Sequence, residues 1–264
     1  MDVWGDYDSR ITTRGLSKRE TVLNREIRTI NRRLPDSLSY QAVVIYDCPY
    51  GVDIDSAAMM AHADNRNVGI INSDNLDEKT IISMPGEDII AGSLVDWMDQ
   101  HWLVTERDAN TTIYTRAKML QCNYLLKWVD DNHQIHEQWV VVEDGTKYLT
   151  GFYEDRNFIV KRGDSRIAIT MARNPYSIKL DRQSRFLVDD IGSDHMLAYS
   201  LTKPLKFSRV YNDVGVFKFV LQEVVTTEFD NQELGIADYY RHFPKENVDD
   251  TPPDNGGSGR RQWL

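Results

Sequence analysis

With 264 residues, 41% of them hydrophobic and 27% charged, the chain has the composition of an ordinary globular protein and the length for one large domain or two small ones. A formal net charge of −10 makes it a poor wrapper of nucleic acid, which needs lysine and arginine to neutralise phosphates, and a poor membrane-surface protein. Two cysteines, Cys48 and Cys122, exclude a disulfide framework and a zinc quartet, and no stretch approaches the roughly 20 apolar residues of a membrane span.

The N-terminus has charges and no apolar core of the signal-peptide kind, so the expectation is assembly in a reducing cytoplasm with both cysteines as buried thiols. Residues 1–13 read as extended or disordered. A helix is predicted from Ser17 to Leu34. Ser17 and Glu20 have the spacing of a capping box, Leu23, Ile27, Ile30 and Leu34 form one apolar stripe, and Pro35 stops the helix. Between Arg10 and Arg33 stand eight basic and two acidic residues, a balance of +6, which leaves −16 for the rest of the chain. Such segregation reads either as a solvated helix face or as a basic element that docks on an acidic partner or lies near DNA.

Residues 40–47 read as a strand ended by Cys48-Pro49-Tyr50-Gly51, and Asp55 as the cap of a short helix through Ala63. Asn72 to Asn75 is a turn, and Ile81 to Met84 a strand stopped at Pro85-Gly86. From Gly92 to Trp128 the pattern is three strands: Leu94–Trp97, His101–Thr105 and a long run from Ile113 to Trp128. Asp130-Asp131-Asn132 turns this run back through Glu137 to Val142, and Asp144-Gly145 is a strong hairpin signal. Arg162-Gly163-Asp164 reads as another tight turn. Val214 to Val225 is the best strand of the second half, and residues 245–259 have the Pro/Gly-rich composition of a linker. A weak internal repeat lays Leu94 over Leu187 and His101 over His195, with a longer strand pair following each.

The predicted fold class is mainly β: one or two small antiparallel β-barrel or sandwich units with an N-terminal α-helix. The expected divisions are an arm and basic helix (1–37), a first β domain (38–153), a second (154–243) and a C-terminal tail (244–264).

No catalytic pattern emerges, and the chain is read as no enzyme. His133 and His136 lie three apart without a third ligand and read as exposed histidines in a turn. Asp53 with Asp55, and Glu87 with Asp88, are carboxylate pairs with neither a phosphate cradle nor a positioned base, and read as loop charges. Ser165 and Ser193 lack a nucleophile elbow. No catalytic, cofactor or metal residue is therefore assigned.

Several whole segments carry a resemblance. They are Asn67 to Ile89, Gly92 to Trp128, Val141 to Gly151, Arg162 to Thr170 and Leu234 to Tyr240. They resemble tailed-bacteriophage structural proteins of the head–tail junction, the head–tail connector or head-closure (stopper) proteins. The resemblance implies a homo-oligomeric ring between portal and tail that closes the DNA-filled head and offers a surface to the tail. Implied partners are further copies of the chain, the portal or an adaptor, and tail terminator or tail proteins. Packaged DNA would pass through the channel without sequence-specific binding, and the protein would reside in the virion after assembly in the host cytoplasm. A tail or baseplate adaptor is the rival reading, and a virion-associated hydrolase on a β scaffold the reading from another class. Under the ring reading, Arg25, Arg28, Arg32 and Arg33 are expected to contact an acidic surface of a neighbouring ring. One loop from residues 49–80, carrying Asp53, Asp55, Asp64, Asp74 and Asp77, is expected to face the axis and to move on turn residues Gly51, Gly69, Asn72 and Asn75. The alternative is that these acids face outward and keep the particle soluble.

Overall fold

Ser17 opens the first described element, its Oγ accepting from the Glu20 amide at 3.2 Å, and helix α1 runs Lys18–Arg33. The computed structural model describes residues 17–46, 63–108, 112–144, 166–189, 195–211 and 214–244. The expectations at Cys48, Asp53, Asp55, Gly145, Arg162 to Ser165, Ser193 and both chain ends lie outside these residues. No residue of α1 is buried; Leu23, Ile27, Ile30 and Leu34 are half-covered, while Arg25, Arg28, Arg32 and Arg33 are exposed.

The first β unit contains β1 (Tyr40–Tyr46), β2 (Ala63–Asn72), β3 (Glu78–Ile82), β4 (Leu94–Trp97), β5 (Gln100–Arg107) and β6 (Arg116–Gln121). They form a closed barrel in the order β1-β2-β3-β6-β5-β4, sealed where Ile45 pairs with Val95. The second contains β7 (Tyr124–Val129), β8 (Ile135–Asp144), β9 (Arg166–Ala172), β10 (Arg185–Val188), β11 (Leu197–Tyr211) and β12 (Val214–Val224), in the order β7-β8-β9-β12-β11-β10. A short helix, α2 (Tyr239–His242), follows. The predicted class is therefore the observed one.

Two boundaries need correction. The single run expected from Ile113 to Trp128 is two strands, and the change of unit falls at Cys122-Asn123 rather than near residue 153. Asn123 explains why the chain can cross there. Its Oδ1 accepts from the Val142 amide and its Nδ2 donates to the Val142 carbonyl, both at 2.8 Å, so a side chain replaces a ladder partner at the crossing point.

The two strand orders are the same when β7 to β12 replace β1 to β6. The register carries the likeness to single residues. In the fifth strand of each unit a bulge falls on a threonine, Thr105 and Thr202, two residues past the partner of the fourth strand's first residue. Each threonine hydroxyl donates to a carbonyl of the sixth strand, Lys118 or Val220, which pairs with the residue after the bulge. Core positions correspond in turn: Ile45 with Trp128, Val68 with Val140, Ile81 with Ile169, Val95 with Phe186, Trp102 with Tyr199 and Met119 with Leu221. The expected repeat is thus present as wiring, but its register differs. Leu94 corresponds to Arg185 and His101 to Ala198, because a two-residue turn joins β4 to β5 whereas eight residues separate β10 from β11. Met98 and Asp99 form the short turn with positive φ at both positions.

The second seam departs from the first for a steric reason. Ile45 and Val95 face each other across the closed seam, whereas their counterparts are Trp128 and Phe186. Side chains of that size hold β7 and β10 apart, and the Tyr124 hydroxyl spans the gap, donating to the Leu187 carbonyl (3.2 Å) and accepting from the Asp189 amide (3.1 Å).

A third apolar cluster locks the units together. Leu94, Leu103 and Leu120 from the first meet Trp139, Val141, Ala172 and Val216 from the second. β5, β8 and β12 therefore bury side chains on both faces, which is why they read as continuous apolar runs rather than as alternating ones. Gly92 and Gly215 meet at the same junction, where the Gly215 carbonyl also accepts from the Arg173 amide at 3.0 Å.

Candidate assembly surfaces

Helix α1 presents six cations against two acids on an otherwise acidic chain. Its C-terminal end meets the barrel where Leu34 lies against Gly69 of β2. The four arginines expected to bind a partner are brought together on one exposed helix, Arg32 and Arg33 in its last turn, where cations also complement the helix dipole.

The acids expected in one channel loop are not brought together. Asp64 starts β2 and is held by Arg66 Nε at 2.7 Å. Asp74 and Asp77 lie in the turn beyond the other end of β2, a ten-residue strand spanning about 30 Å. Residues 63–72 are a strand paired on both edges, with Val68 and Ile70 in the core, so they form no movable loop. Gly69 is a mid-strand residue paired with Tyr40 and Ile82 and is not a hinge. Asp53, Asp55 and Gly51 lie outside the described residues.

Asp74 and Asp77 instead line a cleft of about 840 Å³ between the two units. Three ion pairs cross or flank it: Lys118 with Glu78 (2.9 Å), Lys218 with Glu143 (3.3 Å) and, bridging the units, Arg209 with Glu106 (3.0 Å). The lining is polar, with five acids against three cations and Asp74 and Asp77 in excess of the three ion pairs, so the cleft offers a solvated, acidic seam rather than an apolar binding pocket.

The histidines require a second correction. His133 is exposed as expected, on a turn with φ +60°, and its Nδ1 lies 3.2 Å from Nδ1 of His242. His136 is fully buried, because β8 alternation turns it inward beneath Tyr176 and beside Trp128. Its Nε2 stands 3.3 Å from Asp130. Burial alone would raise the Asp130 carboxyl, but the Gln134 amide, His136 and the Asn132 amide outweigh it and hold the group below the ordinary range. The pair is sealed in the core and its geometry fixes the β7–β8 turn. Cys122 is likewise inert: burial first, and the Asp96 charge second, push its thiol up to about 12. Among the described residues no cluster of three or more His, Cys, Asp or Glu is placed to hold a metal ion.

Arg185 is the residue that sequence reasoning missed. It sits on β10 and clasps the chain that follows β12. Its guanidinium donates to both Asp230 oxygens (2.9 and 3.1 Å), to Asp238 (2.9 Å), to Thr227 Oγ1 (3.1 Å) and to the Val225 carbonyl (3.1 Å). Burial pushes the Asp230 carboxyl up, but the Asp238 and Thr227 amides and Arg185 outweigh it, so its pKa is lowered. A lone arginine just ahead of the apolar run Phe186-Leu187-Val188 was the available signal. Arg185→Ala leaves a buried carboxylate without its cation and is expected to destabilise the protein by about 3 kcal/mol, measured by urea unfolding at pH 7. A carboxyl depressed by folding stabilises above its ordinary value of 3.8 and loses that contribution as pH falls below it. The wild type should therefore release residues 225–243 in that acid range, seen as faster amide exchange there, while R185A shows fast exchange already at neutral pH.

No known protein family, curated protein or solved structure matches the chain.

Proposed function

We propose that this chain is a tailed-phage virion structural protein that forms a ring at the head–tail interface, closes the DNA-filled head and carries the tail attachment surface. Its mechanism is assembly, with no bond made or broken. The observation that carries the reading is α1: an amphipathic basic helix, none of it buried, on a body that is strongly acidic. An isolated folded chain gains nothing from leaving such a stripe half-covered, whereas a subunit that docks on an acidic neighbour does. Tandem units of the same strand order, one a closed barrel and one a barrel-like sheet, joined through unlike faces fit the same role, since a ring needs unlike faces that meet. The segments that resemble connector proteins run through both units. An acidic body also suits a channel wall past which DNA slides, because each lysine or arginine set against a phosphate would add affinity and slow its exit.

The reading is tested by light scattering on the purified chain, alone and with the portal or portal-proximal adaptor. A monomer alone and a ring on the template is the expected result, because the exposed apolar side chains are scattered rather than joined in one long run. A stable ring in isolation would remove template dependence, and no ring on any virion component would remove the reading.

A further inference from the structure

The junction inside the chain joins unlike faces of two barrels of like wiring, the first closed and the second open at its β7–β10 seam, which leaves one face of each kind unused. The first barrel contributes the cross-strand row Leu94, Leu103 and Leu120. By register the same row on the second barrel is Arg185, Ser200 and Gln222. The second barrel contributes Val141, paired with Thr170, and the same place on the first barrel is Gly69, paired with Ile82.

Both unused faces are covered by chain ends. On the second barrel Arg185 holds residues 225–238 across the row, and Ala237 packs on Leu187 and Ala198. Those two residues occupy the positions of Asp96 and His101 on the first barrel, where His101 stacks at 4.2 Å on Trp139 of the second. On the first barrel, Leu34 at the end of α1 lies over Gly69.

The two covers are complementary in charge and apolar surface. Residues 223–244 hold five acids and one arginine, with Glu223, Glu228 and Glu233 exposed. Val225 is 85% exposed, and Phe229 and Leu234 keep 37% and 43% of their surface in solvent. Helix α1 offers Leu23, Ile27 and Ile30 flanked by arginines. We propose that α1 of one copy seats on residues 223–244 of a second copy, so that successive chains join head to tail through the faces left over from the junction within each chain. This rests on the ring reading and names the contact that would build the ring: the acidic surface met by the arginines belongs to the next copy of the same chain. Unlike-face contacts of this kind close into a ring or run on as a filament, according to the rotation per step.

The test places a photo-reactive benzoylphenylalanine at Arg28 of the full chain and mixes ¹⁴N- and ¹⁵N-labelled protein with the portal or portal-proximal adaptor at low salt. Cross-links between chains of different label, mapped to residues 223–244, are the expected result, reduced at least tenfold in 0.5 M salt. Cross-links that stay within one chain, reach another part of the neighbour or fail to form overturn the proposal. A second arm removes any doubt about folding. With Arg25, Arg32 and Arg33 replaced by Glu in the Arg28-labelled chain, or with Glu223, Glu228 and Glu233 replaced by Lys in its partner, the cross-link should be lost. Combining the two sets should restore it, and loss without restoration also counts against the contact. If the ring forms on its template while Arg28 cross-links only to a different protein, this contact fails and the ring reading stands. If no ring forms either, both fail.

Discussion

Replacing Arg25, Arg28, Arg32 and Arg33 together by glutamate is expected to give heads that package DNA but neither retain it nor join tails, with virion yield down about 100-fold or more. All four side chains are exposed and none holds the body of the protein together, so the variant should fold. Each position changes by two charges, so the described helix passes from a net +4 to −4. An exposed ion pair contributes roughly 0.2–1 kcal/mol, and four lost together, with repulsion in their place, amount to about 3 kcal/mol per contact, or a factor of about 100. Circular dichroism of the variant would confirm the fold, and filled heads, free tails and infectious particles would be counted. Normal virion yield from a folded variant would sink the role given to the helix. Replacement by lysine, which keeps the charge, should leave yield nearly unchanged.

The second large effect concerns the junction. Gly215→Ala is expected to lower stability by about 3–5 kcal/mol and to loosen the two units from one another. Gly215 has φ +139°, and a Cβ there would stand 2.1 Å from the Arg209 carbonyl oxygen and 2.9 Å from Val210 Cα. Both contacts are backbone, so no side chain can turn aside to make room. Backbone strain of roughly 1–3 kcal/mol adds to overpacking of similar size. Gly92→Ala should behave alike, because its Cβ would fall 2.4 Å from the Gly215 carbonyl oxygen, the group that accepts from Arg173. Gly86 is the control: its φ is +90°, but nothing lies within 4 Å of the added carbon, so only the strain remains. Urea midpoints of the three variants should rank accordingly, and a G215A midpoint equal to the wild type would show that the close approach is relieved at no cost.

Local chemistry made much of the architecture legible in the sequence. The Ser17 cap, the stripe from Leu23 to Leu34 and Pro35 define α1 by short-range hydrogen bonding and periodicity alone. The turns at Asn72 to Asn75 and Asp130 to Asn132 follow from residues that accept turn geometry wherever they occur. The charge segregation is a property of composition, and it pointed to helix α1, none of whose residues the fold buries.

What depended on distant partners was not legible. Val141, Leu103 and Val216 look like any strand residues, and only the packing of one barrel on another makes them a junction. Whether a six-stranded unit closes depends on whether Ile45 and Val95 or Trp128 and Phe186 face each other across its seam, a pairing of residues some fifty positions apart. His136 reads as a turn histidine until β8 pairs with β7 and turns it inward, since a strand's two faces are told apart only by what covers them. Arg185 gives no sign in sequence of the Asp230 it neutralises 45 residues later. The sequence by itself determined the helix, the turns, the strand content and where the charge lies. The tertiary structure decided which faces are spent inside the chain and which stay in solvent, because burial belongs to pairs of surfaces and no single segment encodes it.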